Sequence, residues 1–214
     1  MPRPEPITPD ALIRRLDALP PGRHLVALAG APASGKSTLA EALVAGLNAR
    51  SPGRAAVLAM DGFHYDDRVL GPRGDLPRKG APHTFDVGGL RHMLKRLRAR
   101  DEAEVALPVF DRDIEIARAG AAILPRTVEI VVAEGNYLLL DRDPWTALHG
   151  LFDVTVSFEV PEEVLRARLA ARWQSYDLDP AQIAAKLEEN DLPNGRLVRS
   201  ASIAADYVVH SDAV

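Results

Sequence analysis

Nine consecutive residues, Gly30, Ala31, Pro32, Ala33, Ser34, Gly35, Lys36, Ser37 and Thr38, carry the densest chemical signal in the chain. Glycine, four residues, glycine, lysine and serine is the spacing with which a backbone wraps phosphate oxygens, turning successive N–H groups toward them. The lysine then reaches the β- and γ-phosphates, and the serine hydroxyl is placed for magnesium. The pattern implies a nucleoside-triphosphate site, with ATP and Mg2+ as the expected cofactors. Two acids extend that chemistry, because the apolar runs "AVLAM" and "EIVVA" end on Asp61 and Glu134. Transfer of a phosphoryl group to a hydroxyl needs one carboxylate to accept the hydroxyl proton and another on the magnesium side. Asp61 suits the first task and Glu134 the second.

Such residues need a frame. "HLVALA" (24–29) reads as a buried strand running into the glycine turn, and residues 36–48 as the helix that follows it. "AAVLAM" (55–60), "VEIVVA" (128–133), "VTVSF" (154–158) and "DYVV" (206–209) read as further buried strands. Thr8 and Pro9 look like the cap and first residue of a helix whose stripe is Leu12, Ile13, Leu16 and Leu19. Another helix has Val87, Leu90, Leu94 and Leu97 on its inner face, and two more start near Pro161 and Pro180. Apolar strands alternating with helices indicate an α/β domain with a mostly parallel sheet covered on both faces. Ligands of such sheets sit beyond the C-terminal strand edge, where Asp61 and Glu134 fall. Residues 65–85, rich in glycine, proline and charge, read as a long irregular functional loop.

The bulk numbers narrow the class. The 214 residues fit one domain, and the net charge of −4 argues against non-specific attraction to nucleic acid or anionic membranes. "RHMLKRLRAR" (91–100) puts Arg91, Lys95 and Arg98 opposite its leucines, as any solvated helix face would. With no cysteine there are no disulfides, thiolate metal sites or cysteine nucleophiles. "MPRPEPITPD" lacks a signal-peptide pattern and no apolar run reaches the ~20 residues of a membrane helix, so a cytoplasmic protein without membrane insertion is expected. No guanine-reading "NKxD" and no "LSGGQ" occurs. "DVGG" (86–89) matches a switch pattern only formally, since it opens an amphipathic helix.

The strings "GAPASGKST", "MDGFHYDD", "GAPHTFD", "FDR", "AEGNYLLLD" and "NDLPNGRLV" together resemble the uridine kinase, phosphoribulokinase and pantothenate kinase group of P-loop kinases. Within it they are most similar to the pantothenate-kinase-like branch often named fructose transport system kinases. The resemblance runs from about Leu25 to the end. It implies a P-loop NTPase three-layer sandwich with a small lid, as one domain over residues 1–214. Residues 1–22 would be an N-terminal helix and extension, 62–86 the substrate loop and 166–195 the lid region. It also implies Asp61 as base and Glu134 as the magnesium-side acid, close to the substrate. The loop would present His64, Tyr65, Arg73, Lys79 and His83 to the acceptor, with Phe110 and Arg112 facing the same pocket. "DGFH" departs from uridine kinases, which place serine and tyrosine after the aspartate, and from true pantothenate kinases at the same place.

Arg168 and Arg172 lie one helical turn apart and suit a lid that clamps the transferring phosphoryl group, or else a solvated basic face. Related kinases often have an aspartate where Trp173 stands. "NDLPNG" (190–195) reads as a turn joining two helices, and the resemblance puts it near the nucleotide base. The expected activity is phosphorylation of a hydroxyl on a small metabolite. A fructose-like sugar leads by resemblance, followed by a nucleoside of the uridine or nicotinamide riboside type. A transport-associated regulatory ATPase with no small-molecule acceptor stays open, as does a homodimer.

Overall fold

The computed structural model describes residues 3–211. Among them are eight strands: β1 (Glu5–Pro6), β2 (His24–Gly30), β3 (Ala55–Ala59), β4 (Glu104–Asp111), β5 (Ile116–Pro125), β6 (Ile130–Gly135), β7 (Val154–Glu159) and β8 (Tyr207–His210). The α-helices are α1 (Pro9–Asp17), α2 (Lys36–Arg50), α3 (Asp67–Arg73), α4 (Val87–Ala99), α5 (Glu162–Gln174), α6 (Pro180–Lys186) and α7 (Leu192–Ala201). Six strands form one sheet in the order β1-β8-β7-β2-β6-β3, and every neighbouring pair runs parallel. β4 and β5 form a separate antiparallel hairpin.

Alternation along the central strands builds two cores. Val26 and Leu28 of β2 join Ile130 and Val132 of β6 under α1 and α2. Leu25, Ala27 and Ala29, with Val131 and Ala133, pack on the opposite face under α4 and the hairpin. Burial on both faces explains why these strands read as unbroken apolar runs. The three-layer α/β architecture expected from the sequence is therefore present. Thr8 caps α1 as expected, its hydroxyl accepting from the Ala11 N–H at 3.3 Å. "DVGG" is a helix cap too, with Asp86 accepting from the Gly89 N–H at 2.8 Å.

Several details differ. α2 runs to Arg50 rather than stopping at 48, and β3 ends at Ala59 because residues 60–63 tighten into a 3₁₀ turn. β6 begins at Ile130 and runs to Gly135, while β8 starts at Tyr207 rather than at 206. The segment 65–85 is not irregular throughout: Asp66 accepts from the Arg68 N–H at 2.9 Å and starts α3. Its ends are pinned together, since Tyr65 N–H donates to Thr84 O (3.0 Å) and Asp86 N–H to Phe63 O (2.8 Å). "NDLPNG" is no turn. A π-helix over Leu187–Asp191 runs directly into α7, burying Asn190, Asp191 and Asn194. The β4–β5 hairpin was not anticipated.

Candidate active site

The phosphate loop leaves β2 at Gly30 and enters α2 at Lys36. Gly30 is required by close approach, because a Cβ there would lie 2.9 Å from Phe158 O and 3.1 Å from Ser34 Oγ. Gly35 takes φ +93°, a left-handed conformation that costs glycine little. Ala33 takes φ +58° without that freedom, a local strain of the kind that clusters at binding loops. Gly35 caps α2 without any side-chain hydrogen bond, so the first N–H groups of that helix keep their donors for a ligand. Ser34 Oγ is fully buried without a partner, directly under the loop. An uncapped helix start, a cradle that a Cβ would fill and an orphaned hydroxyl fit a polyphosphate. Ala31 and Pro32 are half-buried on the loop, and Thr38 is exposed in the first turn of α2.

Ser37 Oγ donates to Glu134 Oε1 at 3.1 Å, joining the helix start to the end of β6. Glu134 is 5% exposed. Burial pushes its carboxyl above the usual range, Lys36 opposes that, and the Asp61 charge adds to it. A hydroxyl and a carboxylate side by side at the phosphate loop fit a cation shared with phosphates. Among the described residues no group of three or more His, Asp or Glu could hold a metal alone.

Asp61 sits just past β3, beside β6, on the same sheet edge. Burial would raise its pKa, but the charges of His64, Lys36 and Arg112 and the Arg112 hydrogen bond outweigh this and hold the carboxyl below its usual range. Arg112 Nη2 reaches Asp61 Oδ2 at 2.8 Å from the turn between β4 and β5. His64 Nδ1 lies 2.8 Å from Asp61 O, so this nitrogen carries the proton, a carbonyl being only an acceptor. Burial lowers the imidazole pKa despite the pull of Asp61. The ring is held against Phe85 (centroids 4.0 Å apart) and Phe110 (4.7 Å).

The other sequence candidates divide. Lys79 donates to Asp67 Oδ1 (2.7 Å) and Glu115 O (2.6 Å) and lies 5.5 Å from the Phe110 ring centre, tying the loop to the hairpin. Arg73 stacks on Tyr65 at 5.0 Å. His83 is exposed, 3.3 Å from Asp75, and touches neither Asp61 nor His64. Arg168 reaches the phosphate loop and donates to Ser34 O at 2.5 Å. Arg172 does not; it lies over the Trp173 ring at 5.2 Å.

Sequence reasoning missed what Tyr137, Asn190 and Asp191 hold, and the tight fit at Gly62. A Cβ at Gly62 would stand 2.5 Å from Pro108 O, so this glycine admits the hairpin, and Phe63 behind it packs into the core. Tyr137 Oη donates to Gly80 O (2.7 Å) and Asn190 Nδ2 to Lys79 O (3.1 Å), holding the loop from below. Trp173 Nε1 donates to Asp191 Oδ2 at 2.7 Å, which fastens α5 to the π-helix. The "AEGNYLLLD" and "NDLPNG" strings held these residues in view, but only folding shows which atoms they face.

A cavity of about 790 Å³ opens on the other flank of the phosphate loop, between the ends of β2 and β7 and helix α7. Gly30, Ala31, Phe158, Gly195, Val198 and Ile203 contribute to its wall. Of the "NDLPNG" string only Gly195 lines it.

A parallel sheet with a phosphate loop on its central strand and paired acids at the neighbouring strand ends defines an ATP-dependent P-loop kinase of small molecules. No family model matches the chain. A candidate uridine kinase, C227.14 of Schizosaccharomyces pombe, is 31% identical over 194 residues, covering 87% of this chain and 83% of its own. The pantothenate kinase of Myxococcus xanthus is 33% identical over 158 residues, covering 70% of this chain and 48% of its own. The crystal structure of a candidate fructose transport system kinase from Silicibacter sp. TM1040 superposes with a TM-score of 0.86 at 45% identity, covering 94% of this chain and 98% of that one. The chain belongs to the uridine kinase and pantothenate kinase-like family of P-loop kinases.

Proposed function

We propose that this kinase transfers the γ-phosphoryl group of ATP, with magnesium, to a hydroxyl of a fructose-like sugar. The observation that carries the reading is the position of Asp61: a carboxylate kept ionised by the Lys36 and Arg112 cations, on the sheet edge beside the phosphate loop. The loop N–H groups and Lys36 bind the triphosphate, and the 790 Å³ cavity beginning at Gly30 and Ala31 accommodates the nucleoside. Ser37 and Glu134 would hold a magnesium ion, which when bound would neutralise charge on the phosphate oxygens. Asp61 takes the acceptor's hydroxyl proton as that oxygen attacks the γ-phosphorus. Arg168, anchored on the loop carbonyls, lies within reach of the transferring group, and Arg172 joins it when the lid closes.

His64, Phe110 and Arg112 form the acceptor wall, with Lys79 and Tyr65 beside it. The sugar reading is supported by the 45% identity to the Silicibacter protein, a candidate fructose transport system kinase. A nucleoside acceptor is the second reading, favoured by the fission yeast relative and by the half-buried Phe110 ring, a surface for a base to stack on. ADP release with Mg-ATP across sugars, nucleosides, pantothenate and phosphorylated pentoses tests both. Turnover with a sugar alone supports the first, and with uridine or nicotinamide riboside the second. An ADP rate that no acceptor changes points instead to a regulatory ATPase and overturns both.

A further inference from the structure

The bond between Arg112 and Asp61 raises a difficulty for catalysis. A base accepts a proton along a lone pair of a carboxylate oxygen, yet Asp61 Oδ2 already accepts from Arg112 Nη2 at 2.8 Å. The Asp61 side chain is 22% exposed, so water reaches it, and water beside a bound triphosphate is a competing acceptor. Arg112 is 48% exposed and stands in the four-residue turn between Asp111 and Ile116, where Glu115 takes φ +54°. A half-exposed ion pair of this kind is weak and exchanges readily. The guanidinium also lies 5.8 Å from the Phe110 ring centre, a second place for it to rest. The turn itself is tethered to the acceptor loop, because Lys79 Nζ donates to Glu115 O at 2.6 Å. Whatever settles against that loop therefore acts on the turn that carries Arg112.

We propose that Arg112 is a positioning residue that reserves Asp61 for the acceptor: it competes with water for Oδ2, one of the base's two oxygens, until an acceptor hydroxyl displaces it, and so discriminates against water. The inference rests on the reading of Asp61 as the base. In the suppressed side reaction, a water oxygen attacks the γ-phosphorus and the bond from phosphorus to the ADP oxygen breaks. The water proton passes to Asp61 and on to solvent, leaving ADP and inorganic phosphate. With Arg112 in place, Oδ2 spends less time open to such a water. The remaining charged neighbours of Asp61, namely Lys36 from α2, His64 from its own turn and Glu134 from β6, are untouched by an Arg112 substitution.

The test measures phosphate release from Mg-ATP with no acceptor present, in the wild type and in Arg112→Gln, Arg112→Lys, Asp61→Asn and Asp61→Asn/Arg112→Gln variants. Arg112→Gln is expected to raise this hydrolysis about two- to fivefold, the scale of a partly exposed ion pair. Arg112→Lys, which keeps the charge but not the planar guanidinium, is expected to fall between the wild type and Arg112→Gln. Adding Asp61→Asn to Arg112→Gln should remove the increase. A merely structural role for Arg112 would lower hydrolysis or leave it unchanged, and either result overturns the proposal. An increase that survives Asp61→Asn overturns it as well, because the base would then not be what Arg112 guards. The base reading fails separately: Asp61→Asn alone would then keep acceptor-dependent ADP release with whichever compound of the panel turns over.

Discussion

Replacing Asp61 by asparagine keeps the shape of the side chain and removes only the charge and the basicity. The surroundings fix what should follow. His64, Lys36 and Arg112 all favour the ionised carboxyl and together outweigh burial, so at neutral pH the wild-type group is a carboxylate ready to take a proton. An amide oxygen keeps the Arg112 hydrogen bond but cannot hold a transferred proton. General-base assistance is worth about 10²–10⁴ in rate, or roughly 3–5 kcal/mol of barrier. Acceptor-dependent turnover of Asp61→Asn should therefore fall by about that factor. Nucleotide binding should survive, because the loop N–H groups and Lys36 are untouched and one negative charge facing the triphosphate is gone. The assay is steady-state ADP release beside a calorimetric titration with a non-hydrolysable ATP analogue. Turnover within about tenfold of wild type, with nucleotide affinity intact, would refute the assignment of the base.

Glu134→Gln should separate stability from activity. Burial raises the folded carboxyl's pKa, so the stability it contributes is complete below its unfolded value and is lost as pH rises through the folded one. The free Glu134→Gln protein should therefore melt above wild type at about pH 8, converge with it toward about pH 4, and lose roughly 10–100-fold in turnover. Gly62→Ala forces a Cβ against Pro108 O at 2.5 Å, and overpacking of about 1–3 kcal/mol should lower Tm by roughly 2–12 °C. An unchanged melting curve would show that the hairpin yields freely there. Trp173→Phe removes the donor that satisfies the buried Asp191 carboxylate, at about 1–3 kcal/mol. Trp173→Phe combined with Asp191→Asn should recover part of that loss in chemical denaturation, and a fully additive pair of losses would exclude the coupling.

The sequence made the sheet readable because each central strand is buried on both faces and so is apolar throughout. The phosphate loop was equally open to inspection, since its glycines answer a requirement of the backbone alone. The hairpin was hidden for a physical reason: it alternates as "EVAL" from Glu104 and then meets Pro108, where the register with β5 shifts, so the period breaks midway. The "NDLPNG" string misleads in a related way. Asn, Asp, Pro and Gly favour turns locally, but burial of Asn190, Asp191 and Asn194 against the acceptor loop and the lid selects a helix. Side-chain roles were least readable. Arg168 and Arg172 are equivalent on a helical wheel, yet only Arg168 meets the phosphate loop. His83 and His64 stand in one loop, and only His64 lies beside the base.

Where the polar groups are buried explains how one edge of the sheet can host two ligands. Most of the buried polar side chains lie along a single track: Ser34 under the phosphate loop, Glu134 and Asn136 at the end of β6, then Asn190, Asp191 and Asn194 in the helix below the acceptor loop. Each costs free energy to desolvate, and a core of leucines would have been more stable. Direct hydrogen bonds run beside it, from Arg168 to Ser34 O, Ser37 to Glu134, Asn190 to Lys79 and Trp173 to Asp191, while Ser34 Oγ and Asn136 Oδ1 keep no partner. Lid, nucleotide loop and acceptor loop therefore share polar partners. On the proposed reading, a kinase that senses its acceptor before it spends ATP needs such shared anchors, and here α5 and the 65–85 loop bond to adjacent residues of the π-helix.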